Sequence, residues 1–339
     1  MSLTVATVHV ALIGAGRIGR NHAEIIARRV PGAELVAVID PVEGAARLLA
    51  DSLEVTAAYT DVEEALRNDT IDAVVIAAPA RSHTDLVVMA AAAGKHIFVE
   101  KPMAVTLDDA DRAIAAADEA GVVLQVGFNR RFAPGFVAAR AAIDDGKIGK
   151  PQLLRSLTRD PGPFTADPSR IPPWTIFFET LIHDFDAVLF LNPGARAVRV
   201  TAIADALVRP DARDSGHLDT AVVTVQFDNG AIATVEANFS ALYGYDVRGE
   251  VFGSAGMVTA GDGRRTDMTL YDAAGLHADF ARSDTDLLRS AYIGEFTAFV
   301  DAIRFGTESL VTGRDARNAL EIALACIRSV ETGAGVRLG

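Results

Sequence analysis

An apolar run from Val8 to Ile13 ends at the glycines of GAGRIG, Gly14, Gly16 and Gly19, and Asn21 to Arg28 then reads as a helix. A second apolar run, Leu35 to Ile39, closes on Asp40. Few folds accept this order. Glycines at this spacing permit a tight turn, a close approach of backbone to pyrophosphate, and close packing of helix on strand. The start of the helix offers N–H groups and the positive end of its dipole to phosphate. A carboxylate about 20 residues past the last glycine is placed to bond a ribose 2′-OH. The segment therefore points to a dinucleotide with a free 2′-OH, which makes NAD the expected cofactor and NADP the excluded one. The competing reading is a glycine-rich turn in some other α/β fold.

The alternation continues. Asp61-Val-Glu-Glu-Ala-Leu opens a capped helix with acids in its first turn. Asp72–Ala78, His96–Val99 and Val122–Val126 read as buried strands. Thr84–Ala93, stopped by Gly94, and the helix from Thr106 to Ala120, stopped by Gly121, separate them. Such β–α alternation implies a doubly wound parallel sheet, whose ligands bind at the carboxyl ends of the strands. Gly14, Asp40, Pro79 and Glu100-Lys101 all fall at such ends. After Gly127 the pattern changes. Pro134–Asp145 and Ile176–Leu191 read as helices, Gln152–Arg159 as a strand, and Asp160–Pro173 as a Pro-rich loop. Strands then follow in succession, Ala197–Leu207, Thr220–Phe227, Ala231–Phe239 and Val247–Phe252, with Asp228-Asn229-Gly230 as a hairpin signal. Two helices, Tyr292–Arg304 and Arg314–Glu331, close the chain. The expected architecture is α/β: a Rossmann domain over residues 1–126, and an α+β domain with an open, mostly antiparallel sheet over residues 127–339. The second domain is expected to bind substrate and to self-associate through its sheet.

Composition narrows the partners. The 339 residues carry a formal net charge of −13, which disfavours nucleic acid and gives no basic patch for anionic lipid. The single cysteine, Cys326, allows no intrachain disulfide and fits a reducing, cytoplasmic setting. No stretch reaches the length of a membrane span. MSLTVATVHV has no basic region ahead of its apolar residues and reads as a first strand, not a signal peptide.

Two groups can carry chemistry. Lys101, in HIFVEKP, sits at the mouth of the nucleotide crevice, with its direction restricted by Pro102. On position alone it either holds a reacting substrate oxygen or is a solvated loop lysine. Glu179 and Asp186 each lie one helical turn from His183, if the segment is a helix. An imidazole oriented by a carboxylate suits general-base work near neutrality. A core histidine bonded to a helix carbonyl fits the same pattern. No histidine pair has metal spacing, so no metal is expected. Trp174 is placed either to close part of a pocket or to anchor a subunit or domain contact.

GAGRIG, Asp40, AAPARSHTDL, EKP, QVGFNRRF, TRDP, LIHDFD and YGYDVRGEVFGSAG resemble, in this order, the motifs of the Gfo/Idh/MocA oxidoreductases, most closely the inositol dehydrogenase branch. The resemblance spans nearly the whole chain. It implies hydride transfer between a ring carbinol and nicotinamide, with Lys101 stabilising negative charge on oxygen, His183 accepting the proton, and Glu179 orienting His183. The expected cofactor contacts are Gly14, Gly16, Arg17, Ile18, Gly19, Asp40, Ala78, Pro79, His83, Glu100 and Lys101. The expected substrate contacts are Asn129, Arg130, Trp174, Thr180 and Tyr245. It further implies a homotetramer. Two departures fall near the substrate: the family acid is usually Asp where Glu179 stands, and Pro172-Pro173-Trp174-Thr175 replaces a frequent Gly-Gly pair. They leave an aldose, anhydrosugar or ketose open beside inositol. A non-catalytic NAD-binding regulator has the pairing of Lys101 with His183 against it.

Overall fold

The computed structural model describes residues 7–162 and 171–339. The first six residues and most of the Pro-rich loop, both covered by the sequence reading, lie outside them. By contacts the chain forms two compact units, Met1–Asn129 with Ser290–Arg317, and Arg130–Arg289 with Asn318–Gly339.

The first unit alternates strand and helix: β1 (Val8–Ile13), α1 (Arg17–Arg29), β2 (Ala33–Ile39), α2 (Glu43–Ser52), β3 (Ala57–Tyr59), α3 (Val62–Leu66), β4 (Ala73–Ile76), α4 (His83–Ala92), β5 (His96–Val99), α5 (Leu107–Ala120) and β6 (Leu124–Val126). The sheet is parallel throughout, in the order β3-β2-β1-β4-β5-β6. β4 is buried along its whole length and β5 at every residue after His96, as strands covered on both faces must be. Local signals set the helix ends. The Asp61 side chain accepts from the Glu63 and Glu64 N–H groups, that of Thr106 accepts from Asp109 N–H, and Gly121 ends α5 in the left-handed region.

The second unit contains α6 (Pro134–Asp144), β7 (Pro151–Arg159), a π-helical turn over Ile176–Leu181 that runs into α7 (Ile182–Phe190), β8 (Ala197–Asp205), β9 (Thr220–Phe227), β10 (Ile232–Asn238), β11 (Asp246–Gly253), β12 (Met257–Ala260), β13 (Arg264–Asp272), β14 (Gly275–Phe280) and α8 (Asp284–Leu287). The chain closes with α9 (Arg289–Phe305), α10 (Gly313–Thr332) and β15 (Val336–Arg337). The large sheet runs β12-β11-β7-β10-β9-β8-β15 and is mixed, since β10 pairs with β7 in parallel and its other ladders are antiparallel. Gly230 takes a positive φ in the hairpin between β9 and β10.

Two features depart from the sequence reading. The segment read as one helix from Ile176 begins as a π turn, so Glu179 and His183 do not share one regular helix. Residues 290–317 group with the first unit, not with the second domain. The packing of α9 explains this: Gln125 Nε2 donates to the Glu295 carbonyl at 2.7 Å, and Phe296 and Phe299 pack on Phe98 with ring centroids 4.6 and 5.9 Å away. No described helix is long and apolar enough to cross a membrane.

Candidate active site

In the first unit the strand order reverses at β1, which opens a crevice past the carboxyl ends of β1 and β4. The three glycines meet three different demands. Gly14 has φ +104°, and a Cβ there would lie 2.6 Å from the Ala77 carbonyl oxygen. A Cβ on Gly19 would lie 1.9 Å from the Gly14 carbonyl oxygen, so α1 can approach its own entry turn only without a side chain. A Cβ on Gly16 would meet nothing within 4 Å, which leaves the backbone at the head of α1 open to a ligand. The N-cap of α1 is Gly16, which has no side chain to cap the helix, and the first turn holds no acid, an arrangement that suits an anion. Asp40 Oδ2 accepts from Ala15 N–H at 2.8 Å and Oδ1 from Val42 N–H at 2.9 Å, which fixes the carboxylate beside the glycine turn.

His83 is buried at the start of α4 and joins two expected cofactor segments. Its Nε2 lies 2.7 Å from the Ala78 carbonyl and its Nδ1 2.8 Å from the Pro102 carbonyl. Either neutral tautomer donates to one of these oxygens, and the cation donates to both. The Lys101–Pro102 peptide is cis, and Lys101 is half-buried. The Lys101 N–H donates to Glu100 Oε2 at 3.2 Å, and Glu100 Oε1 meets His22 Nε2 at 2.6 Å. Burial alone would raise the Glu100 pKa. The His22 bond and the charges of His22, Lys101 and His83 outweigh it, and the carboxyl sits below its ordinary value.

In the second unit Arg130 and Asp184 are both buried and paired. Arg130 also donates to Thr158 Oγ1 at 2.6 Å, and the Ser156 and Thr158 hydroxyls donate to Asp184 at 2.6 and 2.7 Å. The Arg130 guanidinium thus ties α7 to β7 through Nη1 and Nη2, while its buried Nε has no hydrogen-bond partner among the described residues. Arg131 clamps buried Asp186 through Nε and Nη2. His183 sits half-buried on the first turn of α7, Thr180 half-buried on the π turn, and Glu179 exposed on that same turn. Single π turns inside helices often mark functional positions. Trp174, just before this turn, has φ +63°, donates its N–H to the Gly216 carbonyl at 3.1 Å and stacks on Phe177 at 6.3 Å. A left-handed bulky residue persists only where its surroundings hold it there. Tyr245 is half-buried. Burial pushes its phenol well up, and the negative charges of Asp160, Asp284 and Asp184 add to this against Arg130. Tyr245, Asp184 and Arg130 therefore share one electrostatic neighbourhood. Asn129, assigned to the first unit, is buried, and its side-chain oxygen has no hydrogen-bond partner among the described residues.

Sequence reasoning missed Asp184, Ser156 and Thr158 as the partners of Arg130, and it gave His22 no role. A signal existed for His22, which falls in register with Ile25 and Ile26 on the buried face of α1.

Comparison with known proteins gives the site its class. Residues 8–128 match the NAD-binding Rossmann fold of the Gfo/Idh/MocA oxidoreductase family, and residues 136–259 match the GFO/IDH/MocA C-terminal domain. The scyllo-inositol 2-dehydrogenase (NAD(+)) of Bacillus subtilis is 37% identical over 98% of this chain and 96% of its own length. The myo-inositol 2-dehydrogenase of Thermotoga maritima is 36% identical over 98% of each chain. The crystal structure of Lactobacillus casei myo-inositol dehydrogenase in complex with NAD(H) and myo-inositol superposes with a TM-score of 0.89 at 27% identity, covering 98% of this chain and 97% of that one. The chain belongs to the Gfo/Idh/MocA family of oxidoreductases. It is an NAD-dependent enzyme, and the open backbone at Gly16 and the uncapped start of α1 fit that cofactor.

Proposed function

We propose that the chain oxidises a ring hydroxyl of myo-inositol or a related inositol to the ketone. Bound NAD supplies the hydride acceptor. The Lys101 ammonium donates to the substrate oxygen and stabilises the charge that develops as the C–H bond breaks. His183 takes the hydroxyl proton, and Glu179 orients the imidazole and bonds neighbouring hydroxyls. Asn129, Thr180, Trp174 and Tyr245 are assigned to the rest of the inositol ring. Arg130 is assigned to the substrate as well, and it also ties Asp184 on α7 to β7. The observation that carries the reading is that inositol dehydrogenases align over 98% of this chain, while EKP and LIHDFD stand in their expected order. A panel of inositols and monosaccharides with NAD+ tests it, and no turnover on any inositol would refute it. Glu179 and the left-handed Trp174 favour a second reading, a sugar dehydrogenase or reductase acting on an aldose, anhydrosugar or ketose. Turnover confined to monosaccharides in the same panel would select it.

Asp40 is assigned to the adenosine ribose. Its carboxylate bonds a 2′-OH and repels a 2′-phosphate, so kcat/KM with NAD+ should exceed that with NADP+ by at least about tenfold, the scale of one bond to a charged group. Equal efficiencies would remove Asp40 from that role.

The enzyme is also proposed to be a cytoplasmic homotetramer that uses the open face of the large sheet. Met257, Phe252, Leu153 and Ile232 lie directly opposite one another on β12, β11, β7 and β10, and all four are exposed. An exposed apolar row across four strands is the surface that a second copy of this chain would cover. Leu153→Glu should shift sedimentation to a smaller species, while the wild-type chain runs as a tetramer. A wild-type monomer at micromolar concentration would contradict this.

A further inference from the structure

Three titratable side chains meet in the core of the first unit, at the end of β5 next to Lys101. His22 from α1, Glu100 from the end of β5 and Glu295 from α9 each bring one nitrogen or oxygen atom within 4.8 Å of the others, and all three are buried. Their surroundings are aromatic. The His22 ring lies 4.8 Å from Phe296, 5.5 Å from Tyr292 and 6.1 Å from Phe98, centroid to centroid. Glu295 itself has no solvent exposure. Neither of its carboxyl oxygens has a hydrogen-bond partner among the described residues.

Two carboxylates cannot both stay charged in such a place unless something neutralises one of them. The groups facing each differ. Glu100 faces His22 on α1, its neighbour Lys101 and His83 on α4, and it accepts two hydrogen bonds. Glu295 faces the negative charge of Glu100 and the His22 imidazole, and neither gives it a hydrogen bond. Burial and Glu100 together push the Glu295 carboxyl well above its ordinary value, while Glu100 moves the other way. Environments that drive two carboxyls apart assign the proton between them. The packing is also tight against Glu100, since a Cβ on Gly127 would lie 3.2 Å from its carboxyl carbon.

We propose that Glu295 is a buried, proton-bearing acid at neutral pH. His22 bonds the Glu100 carboxylate that accepts from the Lys101 N–H, and a neutral Glu295 packs beside that carboxylate without adding a second charge, so that both act as positioning residues for the ammonium. The proton stands independently of any reaction. The step to the ammonium rests on the role proposed for Lys101. If Lys101→Met left turnover intact, that role would fail and the proton would remain.

Infrared spectra of the full-length enzyme at neutral pH test the proton directly. The expected result is the C=O stretch of a protonated carboxylic acid above the amide band, lowered in D2O and lost in Glu295→Gln. Absence of the band from the wild-type enzyme overturns the proposal, as does its survival in Glu295→Gln. Stoichiometric divalent metal retained by the wild-type enzyme through dialysis also overturns it, because a cation would then balance the two charges. Thermal melts give a second readout. The unfolded chain releases this proton above about pH 4.3 and the folded chain keeps it, so wild-type stability falls as pH rises toward the folded value. Glu295→Gln has no proton to lose. Its Tm relative to wild type should rise steadily from mildly acidic to alkaline pH, and a constant difference refutes the assignment. For positioning, Glu295→Ala should lower kcat by about tenfold, the scale of a small misplacement, with KM for NAD+ little changed. Glu295→Gln, neutral and of the same shape, should recover most of that loss. An unchanged kcat in Glu295→Ala overturns the positioning role.

Discussion

Lys101→Met should lower kcat by at least about two decades, the loss expected when one transition-state donor is removed, or about 2.7 kcal/mol of barrier. Methionine keeps a long unbranched side chain at a half-buried position and removes only the ammonium. The Lys101 N–H that donates to Glu100 is untouched, so the end of β5 keeps its bond. The glycine turn, Asp40 and the head of α1 lie on other strands of the sheet and keep their geometry. NADH titrated by fluorescence should therefore bind as it does to the wild-type enzyme. An interaction made only in the transition state lowers kcat and kcat/KM together, and that joint fall distinguishes loss of the donor from damage to the binding site. Near-normal turnover would take Lys101 out of the mechanism. Lost turnover accompanied by lost NADH affinity would make it a binding residue.

The parts of this fold that could be read from the sequence are those fixed by local physics. Gly14 and Gly19 announced the turn because no other residue fits beneath Ala77 or against the Gly14 carbonyl. Asp61, Thr106 and Gly121 marked helix ends because caps act within one turn of the chain. The strand β5 was found to the residue, being a short apolar run between turn signals. Other parts depend on distant contacts. The π turn at Ile176–Leu181 has no periodicity that separates it from an α-helix. The hairpin β13–β14 is mostly exposed and carries no core pattern to detect. Arg130 and Asp184 are 54 positions apart, so nothing nearby in the chain shows that the arginine already has a partner. Glu295 stands in an apolar stripe with Tyr292, Phe296 and Phe299, and only the fold brings Glu100 to it. The chemistry-bearing residues were thus found through motifs, and the residues that hold them in place through coordinates.

Asp184→Ala should destabilise the second unit by about 3–5 kcal/mol, the cost of leaving a buried charge without its partner. The side chains of Arg130 and Asp184 are 4% and 0% exposed, so neither can turn to solvent. Three donors converge on this carboxylate: the Arg130 guanidinium and the hydroxyls of Ser156 and Thr158. Removing it also strips the two β7 hydroxyls of a shared acceptor, and each buried group left unpaired adds to the cost. The pair gains its worth from completeness more than from charge, because desolvation consumes most of the Coulomb attraction between buried ions. It follows that Asp184→Leu combined with Arg130→Met should recover much of the loss. Urea unfolding read separately for the two units checks both variants, since two-domain chains need not melt in one step. His183 is the next residue before Asp184, and the bonds from β7 tie down the first turn of α7 that carries both. The destabilised variant should therefore lose kcat as well, while NADH binding to the first unit survives. Unchanged unfolding in Asp184→Ala would mean that solvent reaches this cluster and that the order of α7 has another source.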